Sequence, residues 1–148
     1  MSPSSSAAAG RTGKVTLCDP ETGAVRKELP PSHQDGLTDI VFHPDGKYLA
    51  SAGRDTVIRL WDVESGKEKH CLKGHRLGVV GIGIDSKGKQ LASASLDGTA
   101  RVWDLVTNKE TLRIDVSTDG VSAVALSPDG SLLAAGDRGC DRLCHNIV

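Results

Sequence analysis

The chain has 148 residues, of which 38% are hydrophobic and 25% are charged, and its formal net charge at pH 7 is -1. These values exclude a fibrous or wholly disordered protein and allow one domain with a sizeable core. Because the acidic and basic residues are nearly balanced and spread along the chain, a strongly electrostatic partner such as nucleic acid or an anionic membrane is disfavoured.

The first residues, MSPSSSAAAGRT, are rich in Ser and Ala and show no periodicity. We expect residues 1–13 to form a disordered tail, with a short plastid or mitochondrial address as the alternative. No apolar stretch resembles a signal sequence or a membrane span, and the four cysteines follow no dense disulfide framework. The sequence therefore predicts a cytoplasmic or nuclear protein with free thiols.

An internal repeat organises the chain after this tail. LASAGRDTVIRLWDVESGKE aligns without a gap with LASASLDGTARVWDLVTNKE, so that His33, for example, recurs 42 positions later as His75. A period of this size is typical of arrays of small supersecondary units. The sequence predicts the last strands of a partial unit at 14–31, complete repeats at 32–73 and 74–115, and a partial, diverged repeat at 116–148.

Each complete repeat is predicted to form four antiparallel strands. In the first repeat, Leu37 to Phe42 and Tyr48 to Gly53 are apolar-rich runs joined by the turn HPDGK. A tight turn leads to Val57 to Trp61, and a second turn leads to a polar outer strand, Lys67 to Leu72. The second repeat has the same order, and no segment shows a sustained helical period. The predicted fold class is therefore all-β.

The repeats resemble the WD40, or G-protein β-like, family of β-propellers. The resemblance depends on the dipeptides Gly74-His75, Trp61-Asp62 and Trp103-Asp104 and on a Ser, Asp and Trp spacing that is repeated in register. It covers roughly residues 14 to 136 and implies blades of four antiparallel strands. Cys18 stands where the corresponding Trp would be, so the first unit has diverged.

Propellers typically have four to eight blades, so this chain is expected to form an incomplete propeller of about three blades in an open arc. We expect a truncated or fragment form of a larger propeller, or self-association through open blade edges. On a terminal face, Val121, Val124 and Leu126 are expected to meet water.

The resemblance assigns the recurring polar residues to a buried structural network in each blade. An indole N–H needs an acceptor, a Ser hydroxyl can donate and accept at once, and an Asp carboxylate fixes the His tautomer. Ser, His and Asp also form hydrolase triads, but the chain has no G-x-S-x-G nucleophile elbow, so we expect no catalytic residue. The expected network residues are His33, Ser51, Asp55 and Trp61 in the first blade and His75, Ser93, Asp97 and Trp103 in the second.

The function implied by the family is that of a non-catalytic protein–protein interaction scaffold in a multiprotein complex. Partners of such propellers dock at a rim formed by the loops that enter the first strand and join the second to the third. Arg59 and Arg101, in the third strands, are expected to support packing between blades. The expected partner-binding residues are Gln34, Asp35 and Arg54 from one blade and Arg76, Leu77 and Leu96 from the next.

Two alternatives remain. An RNA-associated role is disfavoured because the chain has only two Trp, one Tyr and one Phe, and both Trp are assigned to the buried network. Cys140, Cys144 and His145 spell C-x-x-x-C-H, one residue longer than a haem-attachment motif, and a zinc site would need a second ligand pair. We interpret this motif as a chance feature and expect no cofactor and no metal.

Overall fold

A computed structural model describes residues 6–9, 13–31 and 33–137, with residues 6–9 described by their backbone alone. Thirteen strands and no helix occur in these ranges. No helix in the described part of the chain is long and apolar enough to cross a membrane. The predicted all-β class is confirmed.

Four antiparallel sheets follow one another along the chain. Two of them have four strands each, and the sheets at either side have three and two strands. The first four-stranded sheet lies within 32–73 and the second within 74–115. The strands are β1 (Ser6–Ala9), β2 (Val15–Cys18) and β3 (Val25–Glu28); β4 (Leu37–Phe42), β5 (Tyr48–Gly53), β6 (Ile58–Asp62) and β7 (Glu68–Leu72); β8 (Val79–Ile84), β9 (Gln90–Ser95), β10 (Thr99–Asp104) and β11 (Lys109–Asp115); β12 (Val121–Leu126) and β13 (Leu133–Asp137).

The start of the chain differs from the expected disordered tail. Ser6–Ala9 is a strand that pairs antiparallel with β2, with Ala7 opposite Leu17. A pattern-based reading misses it because the segment has no alternation of polar and apolar residues, and its pairing comes from backbone groups that β2 would otherwise leave at an open edge. The first sheet therefore has one strand more than the sequence indicated.

The core lies between the sheets. The second strand of each complete blade is buried along almost its whole length, and its small side chains, such as Ala50 and Ala92, let neighbouring sheets approach. One cluster joins Ile58 and Leu72 of the first blade to Val79 of the second. Each blade thus buries one face against the next, as a propeller requires.

Polar contacts also join the two complete blades. The Asp39 carboxylate accepts the backbone N–H of Ile82 at 3.0 Å, and Thr38 Oγ1 donates to the Val79 carbonyl. These residues lie on β4 and β8, the first strands of their blades, so the bonds fix the relative position of the two sheets.

The expected exposure of the terminal apolar side chains is wrong. Val121 is fully buried, while Val124 and Leu126 are half-buried and pack against a cluster that includes Leu133. The reason is that β12 lies against β8 and β9 of the preceding blade. Its exposed positions carry small side chains instead, namely Ser122, Ala123 and Ala125.

Candidate functional site

In the first blade, the structure brings the four expected network side chains together. His33 Nδ1 lies 2.8 Å from an Asp55 carboxylate oxygen, and His33 Nε2 lies 2.8 Å from Ser51 Oγ. Trp61 Nε1 donates to the same Ser51 Oγ at 2.8 Å. His33, Ser51 and Trp61 are at most 2% exposed, so these contacts are shielded from water.

The second blade repeats this arrangement. His75 Nδ1 lies 2.9 Å from Asp97 Oδ2, His75 Nε2 lies 2.7 Å from Ser93 Oγ, and Trp103 Nε1 donates to Ser93 Oγ at 2.9 Å. The Asp97 carboxylate additionally accepts the backbone N–H of Arg76 at 3.0 Å. The entry loop, the second strand, the following turn and the third strand are thereby tied together in each blade.

Bonding capacity fixes the direction of the hydrogen bonds. The indole N–H can only donate, so Ser93 Oγ accepts from Trp103 and its own O–H is free to donate to His75 Nε2. A neutral imidazole that accepts at Nε2 carries its proton at Nδ1, which then donates to Asp97. Each polar side-chain atom of the His75, Ser93, Asp97 and Trp103 network thereby has a partner, with no proton left over.

The two blades differ beside the carboxylate. In the second blade Thr99 Oγ1 donates to Asp97 Oδ1 at 2.6 Å and accepts from Arg101 Nε at 3.2 Å. Val57 stands at the matching position of the first blade and offers no hydroxyl. Among the described residues, the buried Nε of Arg59 consequently has no hydrogen-bond partner.

Both arginines form ion pairs within their own blade, and the expected packing of their apolar stems between blades stays a prediction. Arg101 is 5% exposed, and its guanidinium lies 2.7 Å from Glu110 and 3.6 Å from Asp97. Arg59 makes the equivalent contacts with Glu68 and Asp55. The two carboxylates hold the guanidinium by electrostatic attraction, and its positive charge balances the negative charge of the Asp in each network. Sequence reasoning missed Thr99 and Glu110, although Glu110 recurs in register with Glu68.

The protonation states agree with this geometry. Burial lowers the pKa of His75, because the charged imidazolium would lose its hydration. Burial alone would raise the pKa of Asp97, but hydrogen bonds donated by Thr99, Arg76 and His75 outweigh it and hold that pKa well below its usual range. At neutral pH the second blade thus holds a neutral imidazole against an ionised carboxylate.

The bonded Ser, His and Asp have the connectivity of a catalytic triad, but not its accessibility. Ser51 and Ser93 are both 0% exposed, and each Oγ already accepts an indole N–H. A nucleophile needs an approach path for a carbonyl carbon and donors for the resulting oxyanion. Neither is available to a hydroxyl enclosed by His and Trp, so these groups can hold the fold together but cannot attack a substrate.

The expected rim residues lie at the surface around these networks. Arg54, Arg76 and Leu77 are exposed, with Leu77 at 52%, and Leu96 is half-buried. Gln34 and Asp35 are exposed as well. Three of the six line two separate depressions. Arg54 and Leu96 line one of about 410 Å³ with Ser122 of the last sheet, whereas Gln34 lines another of about 440 Å³ beside Arg59.

The thiols provide no site within the described ranges. Cys18 and Cys71 are free and half-buried, and burial raises the pKa of the Cys71 thiol, which lowers its reactivity. Among the described residues no group of His, Cys, Asp and Glu could hold a metal ion. Cys140, Cys144 and His145 lie outside the described residues.

Comparisons with known proteins agree with the repeat pattern. The family described as WD domain, G-beta repeat, matches residues 25–62, 66–104 and 108–145. The nuclear distribution protein nudF of Emericella nidulans is 37% identical over 67 residues, which are 45% of this chain and 15% of that protein. The WD repeat-containing protein SL1-17 of Schistosoma mansoni is 40% identical over 68 residues, 45% of this chain and 22% of that protein.

Human WD repeat-containing protein 36 is 40% identical over 52 residues, which are 35% of this chain and 6% of that protein. The aligned part of the chain thus spans less than a quarter of the length of each of these relatives.

Proposed function

The chain belongs to the WD40 repeat family, and we propose that it acts as a non-catalytic protein-interaction scaffold within a multiprotein complex. The observation that carries this proposal is that both Ser, His and Asp sets are buried and fully bonded to Trp. The Ser, His and Asp side chains are hydrogen-bonded inside the blades, so the exposed loops are the part of the chain that can contact partners. We assign the protein to the cytoplasm or nucleus, which the name nuclear distribution protein, carried by several relatives, supports.

We further propose that partners dock at the rim formed by Gln34, Asp35, Arg54, Arg76, Leu77 and Leu96. Exposed Arg54 and Arg76 can form forked contacts with partner carboxylates. Leu77 and Leu96 add apolar surface that is desolvated on binding. Arg is enriched in binding hot spots, and Arg54 lines a depression together with Leu96.

An RNA-binding role receives less support. Single-strand binders stack bases on exposed aromatic rings in a basic groove. Trp61 and Trp103 are 2% exposed, and the ring of Tyr48 is covered by Lys69 at 4.6 Å. A hydrolase role receives less support still, because it requires access to Ser51 or Ser93.

The proposal is tested by charge reversal at the rim. The full chain and an Arg54→Glu, Arg76→Glu variant are used as bait, and captured proteins are quantified by mass spectrometry. A control variant, Lys109→Glu with Arg113→Glu, makes the same charge change on the exposed outer strand β11. We expect the rim variant to lose the proteins that wild type and control retain. Equal capture by all three would overturn the rim assignment.

A further inference from the structure

A second groove lies between the two complete blades, away from the rim. It is lined by the β4–β5 turn and β5 to β7 of the first blade and by Ile84, Gly88 and the β10–β11 turn of the second. In antiparallel sheets these turns lie at the opposite strand ends from the β5–β6 turn, which carries Arg54. We propose that this interblade groove binds an extended segment of a partner protein that combines an aliphatic side chain with an acidic one.

The shape of the groove suits one or two side chains. Its volume is about 230 Å³, below the roughly 300 Å³ at which small-molecule sites begin. Leu49, Ala50, Leu60, Ile84 and Leu105 form an apolar floor. Val106, which also lines the groove, is 76% exposed and adds apolar surface that a partner can cover. An inserted aliphatic side chain would be desolvated on several sides at once.

The charge at the mouth of the groove favours an acidic group. Lys69, His43 and His70 line it, and of these His43 is paired with Asp45 at 2.9 Å; among the described residues no Asp or Glu lines the groove. The Lys69 ammonium donates to Tyr48 Oη at 3.3 Å and lies over the Tyr48 ring, so it is held in place while its other N–H groups stay free to donate. The nearby Asp62 carboxylate already accepts two backbone N–H groups of its own turn. A partner carboxylate would therefore meet a positioned cation.

An unsatisfied amide borders the groove. Asn108, in the left-handed region with φ of 59°, lines the groove, and its buried side-chain oxygen has no hydrogen-bond partner within the described residues. A buried acceptor without a donor is unfavourable by about 1–3 kcal/mol. This oxygen is covered by the protein itself, so the backbone N–H of a bound segment reaches it only when the Asn108 side chain turns toward the groove.

The repeat supplies an internal comparison. At the positions that correspond to Tyr48, Lys69 and His70, the second blade carries Gln90, Thr111 and Leu112. The equivalent place between the second blade and the last sheet therefore lacks both the positioned cation and the aromatic ring. The positioned cation therefore distinguishes this groove from the equivalent place beside the last sheet, and Lys69→Thr gives this one position the residue that the second blade has.

The test is a selection of phage-displayed heptapeptides on the full chain, run in parallel on the Lys69→Thr variant. Lys73→Thr is the matched control, because Lys73 is exposed, follows the same strand and faces a different depression. We expect one set of peptides to be enriched on wild type and on the control but not on Lys69→Thr. These peptides should carry Asp or Glu within three positions of Leu, Ile or Val. The best peptide, synthesised with a fluorescent label, should bind the Lys69→Thr variant at least about fivefold more weakly than it binds wild type. This is the effect expected for the loss of one charge-assisted contact.

Several results would overturn the inference. They are enrichment of the same peptides on wild type and Lys69→Thr, no enrichment on wild type, or equal binding when the peptide's Asp is replaced by Asn. Thermal melting of Lys69→Thr checks that this exposed substitution leaves the fold intact. Because the Arg54→Glu, Arg76→Glu variant should still bind the peptide, failure of the groove and failure of the rim are distinguishable.

Discussion

Replacing Thr99 by Val is expected to destabilise the second blade by about 2–4 kcal/mol. The side chain is 6% exposed, and Val keeps its shape, so the loss comes from hydrogen bonds rather than from a cavity. The hydroxyl bond to the ionised Asp97, at 2.6 Å, is charge-assisted and contributes about 1.5–3 kcal/mol. Its removal also leaves the buried Arg101 Nε without its acceptor at 3.2 Å.

The first blade offers the reverse experiment. Val57→Thr places a hydroxyl beside Asp55 and the unpartnered Nε of Arg59, and should stabilise the chain by about 1 kcal/mol. Urea unfolding at pH 7, followed by tryptophan fluorescence, measures both variants. The reasoning is refuted if Thr99→Val lies within about 0.5 kcal/mol of wild type, the range of an uninvolved surface change, or if Val57→Thr destabilises as much as Thr99→Val.

Three further results are expected. Ser93→Ala should lower the unfolding free energy by about 3 kcal/mol in the same urea assay, because Trp103 Nε1 and His75 Nε2 both lose their partner; a loss below 1 kcal/mol would contradict this. Thr56→Gly should stabilise the chain by about 1 kcal/mol in calorimetry, since Thr56 is β-branched with φ of 77° where the second blade has Gly; unchanged or reduced stability counts against strain there. Finally, the unfolding free energy should fall as pH decreases below 6.5 and again below 3.8. The folded-state pKa values of His75 and Asp97 are lowered, so the unfolded state takes up protons first. An unfolding free energy that rises on acidification would contradict this prediction.

The sequence was sufficient for the blades because their determinants recur. The aligned Trp61 and Trp103, with their turns, predict where strands begin and end, and the 42-residue spacing predicts equivalent sheets. Positions where the repeats disagree were informative too, but pattern reasoning did not use them. Thr99 gives Arg101 Nε a hydrogen-bond acceptor, whereas Val57 gives none to Arg59 Nε. This consequence depends on side-chain geometry rather than on hydrophobic period.

Contacts between blades could not be predicted in the same way. The bond from Ile82 to Asp39 and the burial of Val121 depend on how one sheet faces the next. The interblade groove is likewise built from residues of two repeats, such as Ala50 of the first and Ile84 of the second. A within-repeat pattern contains no information on such pairs, because each repeat is read without its neighbour.

Hydrogen exchange of the two indole N–H groups tests most directly whether the twin polar sets are internal supports of the blades. The chain has two tryptophans, so a 15N-labelled sample gives two indole signals that can be followed after transfer to D2O. We expect both Trp61 and Trp103 to exchange only as fast as the protein unfolds, because each donates to a fully buried Ser hydroxyl. Exchange of either signal at the rate of an exposed indole would contradict the buried network and the contact-based function inferred from it.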